Sequence, residues 1–351
     1  MSLFINGRFA TQSLSGVQRF AVETTRALQA RDPRYVLLTP PGGGTSWPGA
    51  REVGARQGQG WEQLDLPLSA AGGLLVNLGN TGPLLAWRQV VVIHDAGVFS
   101  TPEAYAPKFR LWYKLLQGAL IRRGVIIITV SEFSRQEILR HLPARAAQVR
   151  LMPEGADHMH RIGAEPGILA QHGLEAGRFV LAVGTQAMHK NVAALGLLAR
   201  QLEERGVPLV MVGGVGGAAF QAAGVAWLPQ PARYIGRVSD TQLKALYQGA
   251  SCFIFPSRYE GFGLPPLEAM ACGCPVIAAN IPALREGCGG AAQFCDPGSP
   301  EDIAAQVLGV LDSSALRQEL REAGKARAAA QTWARAAAVL DDTAKELLER
   351  A

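Results

Sequence analysis

Short apolar runs alternate with longer amphipathic stretches along the whole chain. The runs Val90–His94 and Val125–Val130 are almost wholly apolar and do not alternate with polar residues. Such runs are typical of strands covered on both faces, whereas the stretch Val17–Gln29 has the period of a helix. Strands and helices that follow one another in this way indicate parallel sheets with right-handed crossovers, and therefore an α/β fold.

The same patterns predict strands and helices in both halves of the chain. The strands predicted in the first half are Leu3–Asn6, Tyr35–Thr39, Leu74–Leu78, Val90–His94, Val125–Val130 and Val149–Met152. Those predicted in the second half are Phe179–Val183, Leu209–Val212, Val225–Leu228, Cys252–Pro256, Val276–Ala279 and Gln293–Cys295. The predicted helices include Val17–Gln29, Ala104–Arg123, Glu132–His141, Asn191–Glu204, Asp240–Gln248, Pro265–Cys272 and the final Thr332–Ala351.

The alternation pauses at Pro153–Pro166, a stretch rich in glycine, proline and histidine. We therefore expect two Rossmann-like domains, residues 1–160 and 161–331, followed by a terminal helix over residues 332–351. A length of 351 residues suits two such domains better than one core. With 48% hydrophobic and 18% charged residues, the chain is expected to fold rather than to remain disordered.

The charge and the cysteines narrow the classes of partner and compartment. A net charge of +5 permits an anionic ligand but requires no nucleic acid, and we expect no nucleic-acid partner. The five cysteines are odd in number, and Cys272-Gly-Cys274 lacks the spacing of a zinc site, which predicts reduced thiols. The first residues lack the basic and apolar regions of a signal peptide. We expect a cytoplasmic protein, either soluble or peripheral at the inner face of the cytoplasmic membrane.

The most informative motif is the stretch Pro256–Met270, which follows an apolar strand and precedes a helix. Two glycines flank Phe262, so the turn can be tight and the backbone can approach a ligand. Pro265 suits the first position of a helix, where its missing amide hydrogen costs little. The amides of Gly263 and Leu264 then point out of the helix start, where an anion such as a diphosphate binds favourably.

Glu260 and Glu268 are separated by seven residues within this motif. We expect Glu260 on the loop and Glu268 on the first helical turn, with both carboxylates facing one cleft. A carboxylate there can accept hydrogen bonds from the vicinal hydroxyls of a sugar or a ribose. The alternative is that Glu268 only stabilises the helix dipole and Glu260 is a solvated loop acid.

This motif resembles the Glu-x7-Glu signature of glycosyltransferase family 4, the "glycosyl transferases group 1" domain of retaining enzymes with the GT-B fold. The similarity covers most of the chain and is weakest at residues 40–75. The other segments that carry it are Ser15-Gly16-Val17, Ile93-His94-Asp95, Thr129–Ser134, Val183-Gly184-Thr185, His189-Lys190-Asn191, Ile235–Asp240, Pro275–Ala278 and Phe294–Pro297.

The resemblance implies a fold, a reaction and a set of site residues. Two Rossmann-like domains would face each other across a cleft, the first binding the acceptor and the second the donor, with the last helix crossing back to the first. A hexose of the mannose or glucose type would pass with retention from a GDP- or UDP-sugar to a glycan or polyprenyl-linked acceptor, in exopolysaccharide or lipopolysaccharide assembly. The implied catalytic residues are His94, Lys190 and Glu260. The implied donor-binding residues are Gly16, Thr185, Lys190, Val238, Glu260, Gly261, Phe262, Gly263, Leu264 and Glu268.

Physical arguments support two of these residues independently. His94 closes an apolar strand, and ligands of open α/β sheets bind at the carboxyl ends of strands. Lys190 is expected to begin a helix, an unfavourable place for a cation unless an anionic ligand binds there. One departure concerns Thr185, because the family often has an arginine there. Gly289–Ala292 departs from the family's common Gly-Asp-Ala-Ala as well.

Other classes of site are less well supported. Gly214–Ala219 fits a dinucleotide fingerprint, but no acidic residue follows at the required offset. The sequence contains no Asp-x-Asp loop or metal-ligand cluster, so we expect neither a metal nor a cofactor beyond the nucleotide sugar. A sugar-nucleotide epimerase of the same fold and an inactive nucleotide-sugar-binding relative stay open as alternatives.

A basic segment adds a hypothesis about the acceptor. Residues 104–150 carry nine basic residues against two acidic ones. Within them, Phe109–Leu116 mixes aromatic and cationic side chains, a pattern of helices that lie in a membrane interface. Either these are solvated helix faces, or the segment meets anionic lipid and a lipid-linked acceptor.

Overall fold

The structure is a computed structural model that describes residues 2–185, 187–214 and 228–349. The chain divides into two compact units. Of the described residues, 2–99, 110–154 and 333–349 belong to unit 1, and the others belong to unit 2.

The division differs from the predicted boundaries in three places. Residues 155–160 group with unit 2, because Ala156 donates its amide hydrogen to Gln331 and His158 contacts Glu268, both in unit 2. Residues 100–109, predicted to lie in the first domain, also group with unit 2. The boundary of the last helix differs by one residue, because Thr332 belongs to unit 2.

Unit 1 contains a parallel sheet with the strand order β3-β2-β1-β4-β5-β6-β7. Its central strands are apolar and buried on both faces, as helix-covered parallel strands are. The strands are β1 (Leu3–Asn6), β2 (Tyr35–Thr39), β3 (Arg51–Glu52), β4 (Leu74–Asn77), β5 (Gln89–Val92), β6 (Ile126–Thr129) and β7 (Val149–Leu151).

Unit 2 contains a second parallel sheet, with the order β10-β9-β8-β11-β12-β13. Its strands are β8 (Val180–Val183), β9 (Leu209–Val212), β10 (Arg233–Gly236), β11 (Cys252–Phe255), β12 (Val276–Ala279) and β13 (Gln293–Cys295). The predicted α/β fold with two parallel sheets is therefore confirmed. Residues 225–227 of the predicted strand Val225–Leu228 lie outside the described residues.

Helices cover these sheets. Those of seven or more described residues are α1 (Gly16–Arg31), α2 (Pro107–Arg122), α3 (Glu132–His141), α4 (Gly196–Glu204), α5 (Asp240–Gly249), α6 (Leu264–Ala271), α7 (Pro282–Cys288), α8 (Pro300–Asp312), α9 (Ser314–Ala330) and α10 (Trp333–Glu349). Shorter α-helical segments are Gly58–Gly60, Leu66–Ser69, Gly97–Ser100, His158–Arg161 and Gly167–Gln171. None of the helices in the described ranges is long and apolar enough to cross a membrane.

The last helix, α10, packs against α1 in unit 1. Apolar residues including Trp333 and Leu340 are buried on its inner face. Asp341 is also buried, and it accepts hydrogen bonds from Arg31 at 2.7 Å and from the Tyr35 hydroxyl at 3.2 Å. The helix is therefore fixed to unit 1 by both burial and a polar anchor.

Each sheet has a point at which the strand order reverses. In unit 1 the chain runs outward from β1 to β3 and then returns to β4, on the other side of β1. In unit 2 it runs from β8 to β10 and returns to β11, on the other side of β8. Loops leave such adjacent strands in opposite directions, which opens a crevice at their carboxyl ends where ligands of α/β folds bind. We call these places the unit 1 switch point and the unit 2 switch point.

Candidate active site

The unit 2 switch point collects most of the residues that the sequence predicts for the donor. Thr185 follows β8, and the Glu260 motif follows β11. These two strands pair directly, with Ala182 opposite Ile254. Because parallel strands end at the same edge of a sheet, both loops leave from this edge.

Lys190 and Glu260 meet at this edge. The Lys190 Nζ lies 2.7 Å from the Glu260 Oε1, and the two side chains are 21% and 13% exposed. The ammonium group also lies 5.5 Å from the centre of the Phe255 ring, a cation–π arrangement. The site therefore contains one ion pair that is shielded from most water yet still reachable by a ligand.

The loop that carries Lys190 differs from the prediction. Lys190 ends a short 3-10 turn, Met188–Lys190, and α4 begins only at Gly196, so the expectation that Lys190 begins a helix is wrong. Asn191 breaks the helix, because its backbone is left-handed at φ 56°. Its buried side-chain amide donates to the carbonyls of Pro256 and Pro297, at 3.0 and 2.8 Å. Asn191 thereby holds Lys190 against the end of β11, a role that sequence reasoning did not assign.

His189 is neutral at physiological pH. Burial, followed by the neighbouring charge of Lys190, lowers the pKa of this imidazole to about 4. Its backbone carbonyl accepts a hydrogen bond from the Arg258 amide at 2.8 Å, which ties the lysine loop to the glutamate loop.

The glycine turn before α6 is tightly packed. Gly263 has φ +106°, which L side chains rarely adopt, and an added Cβ would lie 2.5 Å from Leu284. On the other side, a Cβ on Gly287 would lie 2.4 Å from the carbonyl oxygen of Phe262. The turn is therefore held in one conformation by its neighbours.

The start of α6 corrects the prediction by one position. Leu264 is its first residue, so Pro265 and Pro266 occupy the second and third positions and contribute no amide hydrogens. The Leu267 amide donates to Gly263. The amides available at this helix start are thus those of Gly263 and Leu264, as the sequence predicts, and they would favour an anion.

Glu268 lies just beyond the first turn of α6, one position later than predicted. It is the fifth residue of the helix rather than part of its first turn, and it is buried. Its Oε1 lies 3.0 Å from the His158 Nε2. Burial and then the nearby Glu268 carboxylate raise the pKa of Tyr247 well above its usual value. The interpretation of Glu268 as only a helix-dipole partner is therefore replaced by a buried carboxylate held by His158.

His158 was not among the predicted site residues. It lies on the short helix His158–Arg161, in the Gly-, Pro- and His-rich stretch that sequence reasoning read only as a domain boundary. The signal that was available is the unusual density of histidines there, since three lie between positions 158 and 172.

Two further predicted residues lie at the same sheet edge, in less defined surroundings. Thr185 is half-buried two positions after the end of β8, and Val238 is half-buried two positions after the end of β10. The backbones between them are close, since a Cβ on Gly213 would lie 1.8 Å from the Gly184 carbonyl oxygen. The dinucleotide-like segment Gly214–Ala219 lies outside the described residues from position 215 onward.

The predicted residues of the first domain lie in unit 1. His94 is buried after β5, and its ring packs edge-on against Phe20 at 4.4 Å between ring centroids. Its Nε2 lies 3.0 Å from the Leu78 carbonyl oxygen, and its Nδ1 lies 3.8 Å from Glu154. Because a carbonyl can only accept, Nε2 must carry a proton, which leaves Nδ1 as the nitrogen that can interact with a ligand. Gly16 is the first residue of α1, and a Cβ there would meet no atom within 4 Å.

The cysteines are not suited to nucleophilic chemistry. All five are free thiols. Burial raises the pKa of Cys252 and of Cys272 to about 12, so both stay protonated at physiological pH. Within the described residues, no three or more His, Cys, Asp or Glu side chains are grouped so that they could hold a metal ion.

Comparison with solved structures identifies the fold. The chain is similar to Anabaena HepE, solved in complex with UDP and glucose, with a TM-score of 0.75 and 16% identity over 99% of this chain and 100% of that one. At this identity the likeness shows the fold alone, which is the GT-B fold of glycosyltransferases.

Sequence relatives define the family. The profile described as "Glycosyl transferases group 1" matches residues 168–327. The chain is 36% identical to the O-antigen chain mannosyltransferase B of Escherichia coli over 70% of this chain and 67% of that protein. It is 28% identical to the serotype-specific mannosyltransferase WbdA of Escherichia coli over 72% of this chain, but it spans only about a third of WbdA, 32%. The chain belongs to the group 1 glycosyltransferases, so the predicted resemblance is confirmed and the protein is a glycosyltransferase.

Proposed function

We propose that this glycosyltransferase moves a hexose from a nucleoside diphosphate sugar to a hydroxyl of a glycan or lipid-linked acceptor, with retention at the anomeric carbon. The observation that carries the proposal is the ion pair between Lys190 and Glu260, 2.7 Å apart, at the unit 2 switch point. A cation and a carboxylate side by side match the two ends of such a donor, a diphosphate and a polyhydroxylated ring.

In this proposal the donor diphosphate competes with Glu260 for the ammonium group of Lys190. The amides of Gly263 and Leu264 provide further hydrogen bonds to the phosphate oxygens. Glu260, released from Lys190, accepts hydrogen bonds from the sugar hydroxyls, and Glu268 accepts them from the ribose. The Lys190 ammonium and the two amides stabilise the negative charge that develops on the leaving diphosphate. Such an effect is worth about 10²–10³-fold in rate for a single hydrogen-bond donor.

The reaction breaks the bond between the anomeric carbon and the diphosphate oxygen, and it forms a bond from the acceptor oxygen to the same face of that carbon. The proton of the acceptor hydroxyl moves to a phosphate oxygen of the leaving nucleoside diphosphate. The base is therefore part of the donor in this proposal, and no protein nucleophile is needed. Within unit 1, His94 has only its Nδ1 left for a ligand, since its Nε2 already donates to Leu78.

The relatives favour mannose over glucose. Both curated relatives above are named mannosyltransferases, and one acts, by its name, on O-antigen chains. We therefore place the chain in bacterial surface polysaccharide assembly, with a mannose-type donor as the first choice. UDP in the HepE structure keeps a UDP-sugar as the second choice, on fold similarity alone.

A donor panel tests the proposal. GDP-mannose, UDP-glucose and their parent nucleotides are titrated by calorimetry, and transfer is followed by mass spectrometry with mannose-terminated oligosaccharide acceptors. We expect one sugar nucleotide to bind and to be consumed only when an acceptor is present. Conversion of the donor without acceptor would instead identify an epimerase, and binding without any transfer would identify an inactive relative.

A membrane-associated acceptor is the second part of the proposal. On α2, the residues Lys108, Leu111, Trp112 and Leu115 follow one another at helical spacing and are all exposed. The exposed fraction of Trp112 is 39%, a large apolar area for one residue. Near the end of this helix, the Arg123 guanidinium lies 5.1 Å from the ring of Trp87, which is 89% exposed. Exposed aromatic and cationic groups together favour binding to an anionic lipid surface, where a lipid-linked acceptor would be found.

Liposome sedimentation tests this part. Wild type is compared with a variant in which Lys108, Arg110 and Lys114 are changed to Glu, on anionic and neutral vesicles at low and high salt. We expect binding to anionic vesicles only, weaker at high salt and lost in the variant. A matched variant with Arg200, Arg205 and Lys325 changed to Glu controls for net charge. Equal, negligible binding in every case would contradict the membrane part and leave the transferase proposal standing.

A further inference from the structure

Unit 1 contains a polar cavity of about 180 Å³ at the carboxyl ends of β1 and β4, the unit 1 switch point. Its volume is below the roughly 300 Å³ at which pockets for drug-sized ligands begin, so it suits a smaller molecule. Its lining includes Asn6, Arg8, Glu62 and Tyr113.

The wall of this cavity is a preformed network around the buried carboxylate of Glu62. Glu62 lies 3.1 Å from the Arg8 guanidinium and accepts hydrogen bonds from Asn6 at 2.7 Å and from Thr81 at 2.8 Å. Arg8 also donates to the Thr81 hydroxyl at 3.0 Å. A network with so many internal bonds holds its groups in one geometry before any ligand arrives.

The network has no net charge, because it contains one guanidinium group, Arg8, and one carboxylate, Glu62. The positive charge of Arg8 is offset by Glu62 at its side, so the wall has no surplus charge for a phosphate. A phosphate would also meet the buried Glu62 carboxylate at short range, which is unfavourable in a region of low dielectric constant. A sugar hydroxyl, in contrast, can accept from a guanidinium and donate to a carboxylate or an amide oxygen.

Tyr113 adds a donor at the side of the cavity formed by α2. Burial raises the pKa of this phenol to about 12, so its hydroxyl stays protonated at physiological pH. Its aromatic ring adds an apolar group to the lining.

We propose that this cavity binds one neutral sugar ring, the terminal residue of the acceptor, and discriminates against a phosphorylated ring. The role of this sugar as an acceptor rests on the proposed function, but the binding of a neutral sugar to unit 1 can be tested without it. It deepens the function by giving the acceptor a chemical class: a glycan that ends in an uncharged hexose.

The test uses saturation-transfer NMR on the full chain with methyl α-D-mannopyranoside, methyl α-D-glucopyranoside and mannose 6-phosphate. The blocking variant is Gly79→Leu, because Gly79 lines the cavity and an added Cβ would meet no atom within 4 Å. The control is Gly60→Leu, in the same unit and outside the cavity lining, where an added Cβ meets only Arg56 at 3.7 Å. Nucleotide affinity is measured in parallel by calorimetry.

We expect wild type and Gly60→Leu to bind a neutral glycoside and not mannose 6-phosphate, and Gly79→Leu to lose at least about tenfold in affinity, the loss expected when a bound ring is displaced from charged hydrogen-bond partners. Nucleotide affinity should be equal in all three. A Glu62→Gln variant that folds should lose the neutral glycoside and gain mannose 6-phosphate, because Arg8 is then unbalanced.

Two outcomes would overturn the inference: no neutral glycoside bound by wild type, or equal binding by Gly79→Leu. If nucleotide binding persists in either case, the proposed function survives without this cavity. If the neutral glycoside binds and no nucleotide does, the cavity stands and the proposed function is the part that is wrong.

Discussion

The two switch points have the same place in their sheets but differ in how their polar groups are paired. At the unit 1 switch point, Glu62 is buried and satisfied by three neighbouring side chains. At the unit 2 switch point, Lys190 and Glu260 are partly exposed and are joined by a single contact of 2.7 Å. A closed network is suited to hold a fixed shape, whereas one accessible ion pair can be opened by a charged ligand.

The polar groups that reach the crevice differ between the two places as well. Both have tightly packed glycines, such as Gly263 beside Leu284 in unit 2 and Gly7 beside the Leu38 carbonyl in unit 1. In unit 2 the free amides of Gly263 and Leu264 lie at a helix start, whereas the unit 1 cavity is lined by residues with polar side chains such as Asn6 and Arg8. Backbone amides recognise phosphate oxygens well, and side chains with both donors and acceptors recognise hydroxyls. The same topology therefore supports two kinds of recognition, depending on which groups reach the crevice.

The largest expected effect is on the free energy of unfolding, and it distinguishes the carboxylate of Glu62 from that of Glu260. Glu62→Ala should lower the free energy of unfolding by about 3–5 kcal/mol, because it leaves the charge of Arg8 and the amide of Asn6 without their buried partner. Glu260→Ala should cost less, about 1 kcal/mol, because Lys190 and Glu260 are 21% and 13% exposed, against 12% and 1% for Arg8 and Glu62. Urea denaturation of both variants measures the difference. Equal losses would show that the two switch points are organised alike and would break the comparison.

The next effect concerns activity, and here the substitution at the unit 2 switch point should have the larger effect. Lys190→Ala should slow transfer by about 10²–10³-fold, the usual loss when one charge-stabilising donor is removed, with little change in stability. The control is Lys325→Ala, an exposed lysine of the same unit that pairs with Glu322. Steady-state kinetics with a saturating acceptor measure the rate. A Lys190→Ala enzyme as active as the control would mean that the phosphates are held by other groups.

A smaller effect is expected from Glu268, and it sharpens the account of unit 2. Glu268→Ala should weaken nucleotide-sugar binding about tenfold, the result of losing a hydrogen bond to a charged group. His158→Ala should weaken binding less, because it frees the Glu268 carboxylate without removing it. Calorimetry on both variants, with unfolding curves as a check, decides the matter. If both variants lose stability but keep wild-type affinity, Glu268 is only a structural partner of His158.

The positions of the apolar strands could be anticipated from sequence better than those of the exposed edge strands. Apolar strands such as β1, β9 and β12 have the predicted bounds, because burial on both faces leaves a clear apolar signature. The strands β3 and β10 were not predicted. Both are edge strands, and their exposed residues, including Arg51 and Arg233, do not form an apolar run.

The candidate sites show a similar limit. The Glu260 motif is contiguous, so its chemistry is visible in one short stretch. Arg8 and Glu62 are 54 positions apart, and Glu62 lies where the resemblance is weakest, so only the fold brings them together. The expectation that Lys190 begins a helix was wrong for the same reason. Its position depends on the side chain of Asn191 reaching Pro297, which is 106 residues away.

Removal of divalent metal ions is expected to leave the transfer rate unchanged, which makes it the smallest of these effects. The cationic groups proposed for the leaving diphosphate are the Lys190 ammonium and the amides of Gly263 and Leu264, and none of them is displaced by a chelator. Transfer rates should therefore be the same with and without excess EDTA, after dialysis, at equal ionic strength. The control is an assay with added Mg²⁺ or Mn²⁺, which should not raise the rate. Loss of activity in EDTA that either ion restores would show that the unit 2 switch point needs a metal ion to neutralise the diphosphate. The two switch points would then differ by a bound metal as well as by Lys190, because the charges of Arg8 and Glu62 already neutralise each other.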